Sequence, residues 1–499
     1  MAVSFLYICF FSKKKINPEN RKLTTENFFV ILQKTKRKMR HTLLFITIFF
    51  NCFFVNGQKT QNYLKDASVG FVVTDLETEK PLVSQNAETR LAPASVSKLI
   101  TTATALELLG ADFRFETTMQ YDGTLFNGIL DGNLYICGGG DPTLGSKYFE
   151  NDFLTEWISM LKINGIKQIT GKIIADTQIF DSQALPSGYP LIDIGNWYAS
   201  GTYALSVFDN IINVYFKSGA AGTKPKITNI SPQIANLQIE NNLISKKGVG
   251  DCAIFSGFPY ENKRKVDGSI EANKTDFLVR ADMPNPPNVL IDTLTNYLIA
   301  NGIIVDGKIL DTLLYPTKRN LLYVHFSPPL SDIIKNVNHR SNNMFAEHIF
   351  KYLSLKNSKQ ATLAGSIELT KKFWEAKWLN VSTFSITDGC GLSPNSKISA
   401  QFINDLLVFM YKKSKNSEVF FESLPIAGQN GTIIKFLKNT VLEGKAHLKS
   451  GSISKVQCYA GYIILDTKIY AVTIFVNNFS ASRTNVRKEI ENMILEAVK

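Results

Sequence analysis

The chain has 499 residues, with 55 Lys or Arg against 43 Asp or Glu and a formal net charge of +12. Ten of these basic residues and two of the acidic ones lie in residues 1–57, so the rest of the chain carries a net charge near +4. That balance argues against a nucleic-acid-binding protein, whose folded surface needs a strong excess of Lys and Arg. The remaining length is sufficient for more than one domain.

Residues 39–57 have the pattern of a signal peptide. A basic start at Met39 is followed by an apolar run over 42–55 and by small residues before Gln58, the predicted mature start. The run is short for a membrane span. We therefore predict an exported protein, periplasmic or secreted, with at most a loose membrane association. Residues 1–38 precede this signal, which favours Met39 as the initiator; a long basic n-region or an uncleaved anchor is the alternative.

The first motif follows a predicted hairpin at 69–75 and 81–85. An apolar run that closes at Gly110 predicts a helix, with Ser95 in its first turn and Lys98 on the same face. Free N–H groups at a helix N-terminus favour a developing negative charge. Burial would lower the pKa of the lysine, and a serine nucleophile needs such a base. Taken alone, Ser95 could equally be only an N-cap.

A long segment separates this motif from the next one, because Ser95 and Ser341 are 246 positions apart. It begins with predicted strands from about residue 115, continues through a strand-rich stretch at 210–282, and includes a predicted helix at 289–300. The glycines at 138–140 do not form a phosphate-binding loop, since no Gly-Lys-Ser/Thr follows them. The interval can hold one or two extra domains.

The second and third motifs lie towards the C-terminus. Ser341 and Asn343 occupy a polar break between two predicted helices, where they could relay a proton and hold a substrate amide, or simply form a turn. Lys449, Ser450 and Gly451 precede a predicted two-stranded hairpin. A lysine and a hydroxyl there can bind a carboxylate, and glycine allows close approach of a substrate backbone. The alternative is an exposed strand with a solvated lysine.

In this order the three motifs match the S-x-x-K, S-x-N and K-[T/S]-G signature of serine acyl-transferases that act on D-Ala-D-Ala peptides or β-lactams. From about Val69 onward the chain resembles the low-molecular-mass class C penicillin-binding proteins, the D-alanyl-D-alanine carboxypeptidase/endopeptidase family. Segments 137–144, 388–393 and 427–432 resemble further motifs of that family. Two positions depart from its pattern: Ser450 replaces the common threonine, and Cys390 replaces a usual serine.

The resemblance implies an α/β (α+β) fold. It consists of a penicillin-binding transpeptidase-like domain, an antiparallel sheet flanked by helices, with a large, mostly β insertion that forms two extra domains. We predict a leader at 1–57, a catalytic domain at 58–114 and 316–499, inserted domain II at 115–209 and 283–315, and inserted β-rich domain III at 210–282.

The resemblance also implies residue roles. Ser95 would attack the carbonyl between two D-alanines, with Lys98 as its base, and Ser341 would pass a proton to the departing amine. The backbone N–H groups of Ser95 and Ser452 would hold the oxyanion. No cofactor or metal is implied. The predicted substrate-binding residues are Asn343, Lys449, Ser450, Gly451, Ser452 and Asp193.

Asp193 lies in the insertion, where members of this family place an acidic group facing the free amine of meso-diaminopimelate. An anion there suits a cationic substrate side chain. A loop aspartate that caps a turn is the alternative.

We therefore predict a serine-type D-Ala-D-Ala carboxypeptidase and DD-endopeptidase that cleaves peptidoglycan stem peptides and is acylated by β-lactams. A β-lactamase or esterase of the same superfamily and a non-catalytic peptidoglycan-binding protein are the rival hypotheses. Nucleic acid is not an expected partner. The cysteines that remain after the leader have no C-x-x-C spacing, and the sequence leaves their pairing open; they are Cys137, Cys252, Cys390 and Cys458.

Overall fold

The computed structural model of the protein describes residues 63–150, 152–307 and 318–499. The predicted leader at 1–57, including its signal peptide, lies outside the described residues. Among the helices of the described ranges, none combines the length and the apolar character that crossing a membrane requires.

Nine α-helices occur in the described ranges. They are α1 (Lys98–Leu109), α2 (Phe153–Ile163), α3 (Pro286–Ala300), α4 (Leu330–Arg340), α5 (Asn343–Tyr352), α6 (Leu363–Ala376), α7 (Ala400–Lys412), α8 (Ser417–Glu422) and α9 (Arg483–Ala497).

Twenty strands accompany these helices in the same described ranges. They are β1 (Ser68–Asp75), β2 (Pro81–Gln85), β3 (Glu116–Tyr121), β4 (Thr124–Phe126), β5 (Ile129–Asp131), β6 (Leu134–Cys137), β7 (Gln168–Ile169), β8 (Ile173–Asp176), β9 (Ile211–Lys217), β10 (Lys226–Ser231), β11 (Gln238–Asn241), β12 (Ile244–Lys246), β13 (Asp251–Ser256), β14 (Lys263–Glu271), β15 (Phe277–Asp282), β16 (Ile304–Val305), β17 (Asn320–Phe326), β18 (Ala446–Ile453), β19 (Val456–Leu465) and β20 (Lys468–Asn477).

The largest sheet has five antiparallel strands in the order β18-β19-β20-β1-β2. Successive side chains of a strand point to opposite faces, and β1 shows this clearly. Val72 joins a core that includes Leu99 of α1 and Phe345 of α5, whereas Val73 joins a second core with Ile490 of α9. Helices therefore cover both faces of an antiparallel sheet, which confirms the predicted fold class.

The segment between α1 and α4 is built mainly from small sheets, with the helices α2 and α3 packed into their core. The strand orders are β17-β3-β6-β8, β16-β7-β5-β4 and β10-β9-β15, and in a fourth sheet β14 pairs with β11, β12 and β13. A shared core includes Met119, Trp157, Val214 and Leu290. The mostly β character of this insertion agrees with the expectation from the sequence.

The predicted division of the insertion into domains II and III stays a prediction. Strands β9 to β15 all lie within 210–282, the range predicted for domain III. Strand β17 lies in the range predicted for the catalytic domain, yet it pairs with β3 of the inserted sheets.

Candidate active site

Ser95 lies in a 3-10 turn, Ala94–Ser97, that leads directly into α1. Its neighbours Val96 and Lys98 are fully buried, whereas Ser95 itself is half-buried and reaches the surface of the groove. Ala94 has a φ of +45°, a left-handed conformation that is unfavourable for a residue with a Cβ. This turn is therefore held in shape by its surroundings, and it presents the serine at the start of the helix.

Lys98 places its amine beside the Ser95 hydroxyl. The Nζ atom lies 2.9 Å from Ser95 Oγ, 2.7 Å from Asn343 Oδ1 and 2.6 Å from the carbonyl oxygen of Cys390. These three acceptors match the three N–H donors of an ammonium group. Burial lowers the pKa of Lys98 below its ordinary value, because the interior disfavours the charged form. The amine is thus suited to accept a proton from the serine.

The turn between α4 and α5 brings the second motif to the same point. Ser341 ends α4 in a left-handed conformation, with a φ of +57°. Asn342 then caps α5 by accepting a hydrogen bond from the backbone N–H of Phe345. Asn343, the first residue of α5, faces Lys98 with its side-chain oxygen and donates its Nδ2 to the carbonyl oxygen of Tyr198 at 2.7 Å.

Lys449 on β18 is fully buried and contacts the second motif. Its Nζ donates to Ser341 Oγ at 2.9 Å and to the carbonyl oxygen of Ser450 at 2.7 Å. Burial, followed by the nearby charge of Lys98, holds the pKa of Lys449 well below its ordinary value. The Ser450 hydroxyl lies 2.7 Å from Thr432 Oγ1. The Lys449 amine and the hydroxyl groups of Ser341, Ser450 and Thr432 therefore lie on this side of the groove.

Strand β18 passes close to Ser95 at Gly451. A Cβ at this position would lie 2.7 Å from the carbonyl oxygen of Pro93 and 3.0 Å from the backbone nitrogen of Ser95. Glycine is required here because any side chain would push the strand away from the serine turn. Ser452, the next residue, is exposed and accepts a hydrogen bond from the guanidinium of Arg483.

Asp193 is linked to this group of residues through one tyrosine. Its Oδ1 accepts the Tyr198 hydroxyl at 2.9 Å, and the Tyr198 carbonyl accepts Asn343 Nδ2. Asp193 is half-buried, and its own backbone belongs to a turn in which the Asn196 N–H donates to the Asp193 carbonyl. Burial and the Asp193 carboxylate raise the pKa of Tyr198. Asp193 is therefore part of a turn, and it is also connected to Asn343 through Tyr198.

Two acidic residues beneath Lys98 were not singled out from the sequence. Glu347 of α5 and Asp388 are buried, and both lie close enough to Lys98 to raise its pKa, in opposition to the effect of burial. Asn343 and Glu347 are four positions apart on one helix, so a shared face was the available signal. Asp388 belongs to segment 388–393, whose sequence resembles a family motif, but Asp388 was not predicted as a site residue. Cys137, Cys252, Cys390 and Cys458 are all free thiols.

The sequence is similar to those of known D-Ala-D-Ala carboxypeptidases. The sequence model of the D-Ala-D-Ala carboxypeptidase 3 (S13) family matches residues 55–497. D-alanyl-D-alanine carboxypeptidase DacB of Haemophilus influenzae is 25% identical over 437 residues, which cover 84% of this chain and 88% of that protein. The D-alanyl-D-alanine carboxypeptidase of Actinomadura sp. (strain R39) is 25% identical over 413 residues, covering 80% of this chain and 76% of that protein.

The fold is similar to that of a solved structure. The crystal structure of penicillin binding protein 4 (dacB) from Haemophilus influenzae superposes with a TM-score of 0.78 and 24% sequence identity, covering 89% of this chain and 99% of that chain. A second structure of the same protein, complexed with a β-lactam, has a TM-score of 0.71 and 22% identity over 87% of this chain and 96% of that chain. The two structures support the fold assignment.

Proposed function

This chain belongs to the D-Ala-D-Ala carboxypeptidase 3 (S13) family, and we propose that Ser95, Lys98 and Ser341 are the residues that perform its reaction. As a member of that family it is a serine-type D-Ala-D-Ala carboxypeptidase, a hydrolase whose substrates are peptidoglycan stem peptides. The observation that carries the assignment of residues is the 2.9 Å contact between the buried Lys98 amine and the half-buried Ser95 hydroxyl.

In the acylation step, the Ser95 proton passes to Lys98 Nζ while Ser95 Oγ bonds to the carbonyl carbon between the two D-alanines. The carbonyl π electrons move onto its oxygen, where the backbone N–H groups of Ser95 and Ser452 hold the oxyanion. The oxyanion then collapses and the bond to the D-alanine nitrogen breaks. Ser341, which is hydrogen-bonded to Lys449, passes a proton to the departing amine, and the proton that Lys98 took from Ser95 replaces it. Water then hydrolyses the ester and frees Ser95.

The other groove residues bind the substrate. Asn343 holds the substrate amide, and Lys449 and Ser450 bind the terminal carboxylate, for which a lysine and a hydroxyl are suitable partners. Gly451 allows the substrate backbone to lie against β18. A β-lactam carries a carboxylate and a strained amide in the same relation, so it acylates Ser95 and is released slowly.

Asp193 is proposed to bind the free amine of a diaminopimelate side chain. Two hydrogen bonds support this role: the half-buried Asp193 carboxylate accepts the Tyr198 hydroxyl, and the Tyr198 carbonyl accepts Asn343 Nδ2. Recognition of this side chain suits cross-linked as well as linear stems, so the same site would cleave cross-links as a DD-endopeptidase. The substrate lies outside the cytoplasmic membrane, and we propose a periplasmic or secreted enzyme with residues 39–57 as its signal peptide.

The assignment can be tested with fluorescent penicillin on the mature protein that starts at Gln58. We expect a covalent adduct on the wild type and none on Ser95→Ala. Ser97→Ala is a matched control, because Ser97 lies in the same turn and its buried hydroxyl has no hydrogen-bond partner. The control should keep the adduct.

Folded protein that forms no adduct would refute the catalytic assignment and favour a non-catalytic peptidoglycan-binding protein. An adduct that forms and is released rapidly, with the β-lactam hydrolysed, would favour a β-lactamase. An adduct that persists, together with release of D-alanine from a pentapeptide, is the expected result.

A further inference from the structure

Two buried acidic residues near Lys98 have no role in the reaction described above. Glu347 and Asp388 are buried, and their carboxylate oxygens lie within 4.8 Å of each other and of the Cys390 thiol. We call Glu347, Asp388 and Cys390 the acidic cluster. It is linked to Lys98 through the Cys390 carbonyl, which accepts the Lys98 amine.

A single residue, Cys390, connects the cluster to Lys98. Glu347 accepts the backbone N–H of Cys390 at 2.7 Å, and the carbonyl oxygen of the same residue accepts Lys98 Nζ at 2.6 Å. The neighbouring carbonyl of Gly389 accepts the Thr101 hydroxyl of α1 at 2.6 Å. Glu347 therefore helps to fix the carbonyl group that positions Lys98.

The segment that carries Cys390 is tightly packed between α1 and α5. A Cβ at Gly389 would lie 2.4 Å from Phe350 Cβ, and a Cβ at Gly391 would lie 1.9 Å from the carbonyl oxygen of Ala94. The segment thus has little freedom to move by itself. A change in charge at Glu347 is transmitted to Lys98 through a rigid connection.

Asp388 differs from Glu347 in its partners. It accepts hydrogen bonds from the backbone N–H groups of Gly391 at 3.1 Å and Ser393 at 2.7 Å, and from the Ser396 hydroxyl at 3.1 Å. These bonds occupy the lone pairs that a metal ion would need, so the cluster is better described as a counter-charge than as a metal site. They also make Asp388 an anchor of its loop, which leaves Glu347 as the residue to test.

Apart from Asp388, the other titratable groups around Glu347 and Lys98 are neutral or already paired, so the charges of Glu347 and Lys98 can compensate each other. Tyr189 and Cys390 stay neutral, because burial raises the pKa of both well above the ordinary values. Lys351 is paired with Asp181 at 2.5 Å. Burial, followed by repulsion from Asp388, raises the pKa of Glu347 to about 7, so that Glu347 is mainly a carboxylate above this pH. The groups that face this site are Asp388, Cys390, Tyr189, Lys351 and Lys449.

We propose that Glu347 is a positioning residue for the acyl-transfer step: as a carboxylate it holds the Cys390 carbonyl on Lys98 and, together with Asp388, supplies the buried negative charge that compensates Lys98 when it takes the Ser95 proton. This inference rests on the proposed function of Ser95 and Lys98. Glu347 itself gains and loses no proton in the step. A lysine that became charged without an anion nearby would be strongly disfavoured in this buried position.

The test is the pH dependence of penicillin acylation in Glu347→Gln. Removing a nearby anion lowers the pKa of Lys98, so the pH midpoint of the acylation rate should move down by about one unit. The plateau rate should fall at least about tenfold, because the lysine becomes a weaker base. Glu347→Asp keeps the charge and should restore the wild-type midpoint, even if its rate stays low.

Asp405→Asn is the matched control. Asp405 of α7 is a half-buried acid whose pKa burial raises to about 6, and it accepts a hydrogen bond from Gln401 away from the cluster. Its substitution should leave the midpoint unchanged. A Glu347→Gln enzyme with a lower rate and an unchanged midpoint would overturn the proposal in favour of a purely structural role, and an unchanged rate would overturn it entirely.

Circular dichroism shows which variants are folded, and Glu347→Asp decides the question if Glu347→Gln does not fold. In that case a midpoint that differs from wild type in Glu347→Asp would count against the charge argument. Failure of the wild type to form a Ser95 adduct would be a different result, since it would refute the proposed function and this inference with it.

Discussion

At the scale of single residues, Gly451 determines how closely β18 approaches the nucleophile. Gly451→Ala should slow penicillin acylation by roughly a hundredfold, because a displacement of about 1 Å in a catalytic geometry has costs of that order. The cause is steric: the new Cβ would lie 2.7 Å from the Pro93 carbonyl and 3.0 Å from the Ser95 nitrogen. Stopped-flow measurement of acylation by a chromogenic β-lactam gives the rate.

A substitution at a remote glycine separates this effect from a general loss of stability. Gly222 lies in an exposed turn with a φ of +90° and has free space around its Cα, and asparagine tolerates this conformation better than other side chains. Gly222→Asn should acylate at the wild-type rate. Equal rates for Gly451→Ala and the wild type would show that the close approach of β18 is not required.

The sequence points to Ser95, Lys98, Ser341, Asn343 and Lys449 because they belong to short motifs, and their roles in the reaction stay a prediction. Ser95 and Lys98 are near neighbours in the chain and form a hydrogen bond. In the structure, Asn343 lies within hydrogen-bond distance of Lys98, and Lys449 lies within hydrogen-bond distance of Ser341. Glu347 was missed for a physical reason. Its partner, the Cys390 N–H, is distant in sequence, and no local pattern shows which backbone group a buried carboxylate will meet.

At the scale of elements, α5 connects the catalytic sheet side of the groove to the inserted segment. Its first residue, Asn343, accepts a hydrogen bond from Lys98. About one turn later, His348 forms a hydrogen bond with Ser206 of the inserted segment. His348 Nδ1 donates to the Met344 carbonyl at 2.8 Å, so Nε2 accepts the Ser206 hydroxyl at 2.6 Å. This arrangement requires a neutral imidazole, and burial lowers the pKa of His348 to about 4.

The neutral His348 should make the protein sensitive to acid. Below pH 6.5 the unfolded chain binds a proton at this residue that the folded protein binds only near pH 4, so stability is lost as the pH falls between these values. The shift corresponds to about 3 kcal/mol of the free energy of unfolding. Urea unfolding at pH 7 and pH 4.5 should therefore show a smaller acid-induced loss for His348→Gln than for the wild type.

Other groups titrate in both proteins, so the contribution of His348 is the difference between the pH dependence of stability in the wild type and in His348→Gln. His348→Gln is expected to be less stable at pH 7, because the hydrogen bond to Ser206 is changed. An identical loss on acidification in both proteins would mean that His348 is already charged in the folded state, against the tautomer inferred from its hydrogen bonds.

Elements that form from adjacent segments were predicted well. The hairpin β1–β2, the helix after Ser95 and the hairpin β19–β20 all occur close to the predicted positions. The parallel pairs of the insertion, such as β6 with β8 and β11 with β14, were not predicted. Parallel strands need a crossover, so their pairing depends on contacts between distant segments that local periodicity does not record.

At the scale of the whole molecule, the inserted strands hold the loop that carries Asp193. Asn196 accepts the backbone N–H of Phe255 on β13 at 3.0 Å, and its Nδ2 donates to the carbonyl oxygens of Ile192 and Asp193 at 3.1 Å. A Cβ at Gly195 would lie 2.5 Å from Ser256 Cα, so the loop and β13 are in close contact. In the proposed function, the insertion thus holds the loop of the proposed specificity residue, Asp193, which is connected to Asn343 through Tyr198.

Asn196→Ala should therefore change substrate preference more than it changes the chemistry. With the loop released from β13, kcat/KM for a diaminopimelate-containing pentapeptide should fall about tenfold, the usual effect of losing a charge-assisted contact. Penicillin acylation should stay within about threefold of wild type, because it needs only groups around Ser95. The matched substrate is the same pentapeptide with its free amine acetylated, on which Asn196→Ala and wild type should be equal. A similar loss on both peptides would show that the substitution disturbs the Tyr198–Asn343 contact instead of the position of Asp193.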